Sequence, residues 1–140
     1  MQQLMYRWLI FLGISHVLLG ILFAVFANTS LFFPYLQYLF ERFEATGTDN
    51  HADLLGTIVQ LFGVTVASWG ALFTIAVRQY WHTGDGLTKK GVCLAIIIWL
   101  VLDTAISLYW EIEAHAYLNI PVGLAMLLPM LFLQPKVVQN

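Results

Sequence analysis

The sequence predicts an all-α polytopic membrane protein: an antiparallel four-helix transmembrane bundle with a short outer interfacial helix. Three observations predict it. Apolar residues make up 60% of the 140 residues and charged residues only 10%, where a water-soluble domain carries about 25%. Four stretches nearly free of charge follow one another, bounded by Arg7 and Glu41, Asp53 and Arg78, Lys90 and Glu111, and Glu113 and Lys136. Each reaches the ~20 residues a helix needs to cross about 30 Å of hydrocarbon. The charges between them alternate in sign. Arg7, Arg78, Lys89, Lys90 and Lys136 fall on one side with Asp85, and Glu41, Glu44, Asp49, Asp53, Glu111 and Glu113 on the other with Arg42. Basic loops stay in the cytoplasm during insertion, so both termini are expected there, in a multi-pass protein of the bacterial inner membrane. A membrane barrel would show ~10-residue segments of period two, and the sequence has none.

Span 1 is expected over about residues 5–27. Val25-Phe26-Ala27 has small residues suited to signal peptidase, but the apolar run is longer than a signal h-region and Arg7 is a lone basic residue, so the span is expected to be retained. An aromatic-rich segment follows, and Pro34 can open a helix because its missing N–H would be unpaired there. Leu36, Leu39, Phe40 and Phe43 then share one face, opposite Gln37, Glu41 and Glu44. That pattern predicts an amphipathic helix over about 34–44, either an interfacial anchor or a lid over an outward-facing pocket. Thr46 to His51 reads as a polar loop tip.

Span 2 is expected over about 53–77, and the loop Gln79 to Lys90 carries the turn signal Gly84-Asp85-Gly86. Span 3 covers about 91–109 and span 4 about 114–133. The short turn Trp110-Glu111-Ile112-Glu113 makes these two helices antiparallel neighbours. Pro121 and Pro129 imply a bent span 4 whose freed carbonyls need partners. Gly13, His16 and Gly20 on span 1 match Gly63, Ala67 and Ala71 on span 2, so these helices should cross closely. The five tryptophans mostly lie near span boundaries, as in an interfacial belt. The chain has no internal repeat or linker, so residues 1–140 are read as one domain.

Candidate functional residues are the polar ones at membrane depth, because lipid offers them no hydrogen bonds. Asp103 lies seven residues inside Trp110, Gln60 seven after Asp53, and Asn119 six after Glu113. At 1.5 Å per residue they share a layer roughly 10 Å inside the outer boundary. Ser107 adds a hydroxyl one turn above Asp103, and His16 lies nearer the middle. Two readings follow. Asp103, Gln60 and Asn119 bond one another and fix helix register, or they bind a ligand, proton or ion.

Other chemistries have less support in the residues. Cys93 is the only cysteine, so neither an internal disulfide nor a cysteine-based metal site forms. Glu111, Glu113 and His115, with His51 and Asp53 on the same side, have suitable donors for a divalent ion but unspecific spacing, so no metal is expected. A b-type haem would need a second axial histidine at the depth of His16, and His115 lies near the outer boundary. No cofactor is named by the residues. No phosphate loop, serine-nucleophile motif or zinc-protease motif occurs, and the basic stripe of a nucleic-acid binder is missing.

The chain looks like the many small four-span inner-membrane proteins of bacteria. In architecture and in the Ser15-His16 pair of span 1 it is also similar to the sterol-isomerase and sigma-2-receptor group. That group's further acids have no counterpart in span 2, which carries Gln60, so the similarity implies an architecture and no activity. The expected function is binding of a membrane lipid or a small apolar or amphiphilic ligand, in an outer-half pocket formed by His16, Gln60, Asp103, Ser107 and Asn119. The alternatives are a non-catalytic accessory or scaffold subunit of a larger membrane complex, and a proton-coupled transporter assembled as a homo-oligomer.

Overall fold

The computed structural model describes residues 1–42 and 49–136, with the backbone alone at 49–52. The described residues form five helices and no strand: α1 (Gln2–Phe26), α2 (Phe33–Arg42), α3 (Asp49–Thr83), α4 (Gly86–Tyr109) and α5 (Glu113–Phe132). Four helices are long and apolar enough to cross a membrane: α1, α3 from Asp53 onward, α4 and α5. Phe43, Glu44 and Thr46-Gly47-Thr48, expected to finish the amphipathic segment and form the loop tip, lie outside the described residues.

Three helix boundaries differ from the sequence reading. α3 begins at Asp49, so Asp49 to His51 start a helix rather than ending a loop, and it continues to Thr83 rather than stopping near 77. α4 begins at Gly86, five residues before the expected 91. The cause is that Arg78, a charge, does not stop a helix, and no glycine or proline intervenes before Gly84. Gly84 has φ 71, the left-handed conformation that glycine takes at helix ends. Asp85 then caps α4, accepting from the backbone N–H of Leu87 (3.1 Å) and Thr88 (3.0 Å) and from the Thr88 hydroxyl. The long inner loop of the sequence reading is therefore a two-residue connection.

The described chain packs as two compact units, Ser15–Gly70 and Met1–Ile14 with the residues from Ala71 onward. In the unit 15–70, α1 and α3 touch backbone to backbone. A Cβ on Gly63 would come within 2.6 Å of both the Ala24 nitrogen and the Gly20 carbonyl oxygen, and one on Gly20 would collide with Gly63 and Ala67. Of the matched small residues, Gly20, Gly63 and Ala67 thus meet, with α1 and α3 antiparallel. The apolar face of α2 covers this pair. Leu36 packs with Ala27 and Val59, and Phe23, Tyr35, Phe40 and Leu55 surround them. Gln37 and Glu41 stay on the exposed side, joined by a 3.2 Å hydrogen bond.

In the other unit, α4 and α5 form a hairpin. Its turn is a Schellman motif: Ile112 N–H donates to Ser107 O (2.8 Å) and Glu111 N–H to Leu108 O (3.2 Å). Glu111 takes the left-handed position with φ 57, where glycine would be less strained. Leu9, Val77, Ile96, Met126, Met130 and Leu133 form the fully buried core of the unit.

Proline shapes the remaining contacts. Pro129 has no N–H for the Ala125 carbonyl four residues back, and the Trp8 indole donates to that carbonyl at 3.0 Å. Leu131 lies in the last turn of α5, where carbonyls have no intrahelical donor, and its carbonyl accepts from Lys89 Nζ at 2.8 Å. Lys89 and the buried Tyr80 hydroxyl both reach Leu133 O, at 3.0 and 2.9 Å. Gln2 donates to Phe132 O and accepts from Gln134 N–H, and Tyr6 stacks on Trp81 at 4.7 Å. Trp8 and Trp81 are thus structural partners here, beyond the belt role read from their positions.

Gly63→Leu should lower the thermal midpoint of the detergent-solubilised chain, by a destabilisation of about 1–3 kcal/mol, since overpacking meets backbone on both sides. Gly91→Ala, where a Cβ meets nothing within 4 Å, should be neutral or stabilising. Equal melting of the two variants would contradict the close crossing.

The Thr88 hydroxyl, then the backbone N–H groups of Leu87 and Thr88, hold the Asp85 carboxyl below its ordinary value. A depressed folded-state pKa contributes stability above the ordinary Asp value of about 3.9, lost as pH falls through the depressed value. Asp85→Asn, which also caps well, should flatten that acid limb in pH-dependent melting. A wild-type limb unchanged by the substitution would show that the cap does not titrate.

Candidate functional site

Asp103 and Asn119 are brought together. α4 exposes one face toward α5, on which Leu100, Asp103, Thr104 and Ser107 recur at helical spacing. The Schellman turn sets the register so that Asp103, seven residues before Trp110, meets Asn119, seven after Ile112. Asn119 Nδ2 donates to Asp103 Oδ2 at 2.5 Å. One turn further on, Gly123 sits against Leu100, whose Cδ atoms would lie 2.7–2.9 Å from an added Cβ. The missing side chain lets the helices approach closely enough for a carboxyl and an amide, both short, to meet.

The pair leaves hydrogen-bonding capacity over. A carboxylate accepts at both oxygens, yet among the described residues only Asn119 donates to the Asp103 side chain. Beside it, the Thr104 hydroxyl is buried without a partner. Ser107 is buried, at 2% exposure, and its carbonyl closes the hairpin turn. Thr104 was not singled out in the sequence. Its place one residue after Asp103, on the face that also carries Leu100 and Ser107, is the signal that would have found it.

Gln60 lies in the other unit and has a different partner. Asn28 Nδ2 donates to Gln60 Oε1 at 3.3 Å, and the Asn28 amide sits over Gly56, where a Cβ would collide with it. Asn28 therefore joins the chain just past α1 to the first half of α3. His16, half-buried, meets the Trp69 ring at 5.1 Å between centroids and 59°. The two residues of this unit singled out in the sequence, Gln60 and His16, thus meet Asn28 and Trp69 respectively.

Metal-type donors do not converge. Among the described residues, no three of His, Cys, Asp and Glu could hold an ion. Glu111 and Glu113 are exposed, and the His51 side chain lies outside the description. A shallow depression of about 320 Å³ is lined by Ile75, Arg78, Gln79 and His82, none of them a residue singled out for the outer-half pocket.

Asp103→Leu should leave the Asn119 amide without its acceptor, destabilising the chain by about 1–3 kcal/mol. Asn119→Leu should cost a similar amount, and the double variant less than the two together, because the partners are in direct contact. Strict additivity in detergent melting would deny the bond.

Comparison of the chain with protein-family models, with curated proteins and with solved structures finds no match.

Proposed function

We propose that this chain is a polytopic membrane protein that binds a small apolar or amphiphilic molecule through Asp103. The four apolar helices are the spans of an antiparallel bundle with both termini cytoplasmic, and α2 is an outer amphipathic element. Support for insertion comes from the surface. Only 17–22% of the most apolar window of each candidate span is buried, and side chains such as Leu18, Leu61, Leu72, Ile98 and Leu118 stay largely exposed. So much contiguous apolar surface is a liability in water and ordinary in lipid.

The single observation behind the binding reading is the unfilled capacity on α4. One Asp103 carboxyl oxygen and the buried Thr104 hydroxyl lack partners within the described chain. An intramembrane carboxyl is costly and by default functional, and a buried hydroxyl without a partner calls for an unseen one. A ligand hydroxyl, amine or bound water would supply donors to Asp103 and complement Thr104, while Asn119 orients the carboxyl.

A non-catalytic scaffold is the second reading, favoured by the direct pairing of Asn119 with Asp103 and of Asn28 with Gln60. Interhelical bonds of that kind contribute about 0.5–2 kcal/mol each in membranes and fix register without any ligand.

Asp103→Asn and Thr104→Val separate the two. Both should leave the melting midpoint unchanged or raised, since one removes a costly carboxyl and the other a hydroxyl that bonds nothing. Mass spectrometry of small molecules co-purifying with the wild-type chain should detect a compound that both variants lose. Identical retention by all three chains, or no retained compound, would leave the scaffold.

A further inference from the structure

We propose that the C-terminal end of α3 binds the phosphate headgroup of an anionic phospholipid. The inference rests on the membrane insertion argued above, but not on a ligand at Asp103. The site is the shallow depression lined by Ile75, Arg78, Gln79 and His82. These residues stand at i, i+3, i+4 and i+7, one face of one helix. Their chemistry is graded along the axis. Ile75, largely exposed, is the apolar end, and a guanidinium, an amide and an imidazole follow within two turns. A headgroup with an attached acyl chain has the same grading.

Length places this grading at the right depth. The apolar part of α3 runs 31 residues, Asp53 to Thr83, about 46 Å at 1.5 Å per residue, against about 30 Å of hydrocarbon. The excess carries one end of α3 into the headgroup zone, and the basic end is the one expected on the cytoplasmic side. Anionic lipids of that leaflet attract juxtamembrane cations.

The groove is also electrostatically vacant. Arg78 has no ion pair or hydrogen-bond partner among the described side chains. Asp85, the acid next along the chain, is occupied in capping α4 through Leu87 and Thr88. Lys89 is turned to the carbonyls of Leu131 and Leu133. Arg78, the cation that lines the depression, is therefore open to an external anion, and its planar fork suits phosphate oxygens. Gln79 and the His82 ring add further donors.

The test uses the full chain. Flotation with phosphatidylcholine vesicles, with and without phosphatidylglycerol, first reports insertion. Native mass spectrometry from detergent containing equimolar phosphatidylglycerol and phosphatidylcholine then reports which lipid stays bound. Preferential retention of phosphatidylglycerol is expected. Arg78→Gln should reduce that preference about fivefold, the scale of one basic residue at a charged surface. Arg42→Gln, another cation removed from an exposed position, should leave it intact, and excess inorganic phosphate should not displace the lipid. A chain that fails to float overturns the membrane reading and this proposal together. A chain that floats but retains both lipids equally, or is indifferent to Arg78→Gln, overturns this proposal alone. Displacement by inorganic phosphate would mark a phosphate site and refute the lipid assignment.

Discussion

Proline takes backbone donors away from the C-terminal half of α5, and side chains from other helices return them. Ala125 stands four residues before Pro129 and Leu131 lies in the last turn of α5, so neither carbonyl can be satisfied within its own helix. Trp8 from α1 and Lys89 from α4 bond those oxygens, and Tyr80 from α3 joins Lys89 at Leu133. Four helices are tied at one end of α5 by the same requirement: a carbonyl away from water must find a donor. The core of Leu9, Val77, Ile96, Met126 and Met130 is contributed by those same helices. Backbone demand and apolar packing select one arrangement of the unit, which is the consistency a unique fold requires.

The α4–α5 hairpin shows a related economy. Its turn uses Glu111 in a conformation that favours glycine, and in return satisfies Ser107 and Leu108 at the end of α4. The same turn sets the register that brings Asp103 to Asn119. A polar pair at this point is thus a consequence of a short connection and of Gly123, which lets the helices close on Leu100. Whether the pair is an end in itself or the visible half of a larger constellation turns on Thr104, whose hydroxyl the helices bury without bonding.

Much of this was legible in the residues, for identifiable reasons. Charges bounding apolar runs located four helices, because length and hydropathy are properties of a single chain segment. Gly20 and Gly63 announced their crossing, since small residues at matched spacing have few other uses in an apolar helix. Counting outward from one short turn put Asp103 and Asn119 at one depth, but grouped with them Gln60, which bonds Asn28 instead. The missed features depend on tertiary partners. Asn28 carries no local signal, because nothing near it in the chain links it to Gly56 and Gln60, 28 and 32 residues away. Trp8 looked like a belt residue because its acceptor exists only through a proline more than a hundred residues later. Helix α3 overran its expected end because a charge was read as a stop, whereas backbone conformation at Gly84 supplies the stop.

The Gly20–Gly63 contact has one further consequence, for how this fold can vary. Where two helices meet through leucines, a substitution on one side can be accommodated by a smaller residue opposite, and such interfaces drift by paired exchange. Here the surfaces in contact are peptide backbone, common to every residue type and not open to exchange. No compensating partner exists for a larger side chain at either position, so the spacing of α1 and α3 is fixed independently of the side chains around it. That part of the chain is rigid in sequence space, while its exposed leucines and isoleucines are free to interchange.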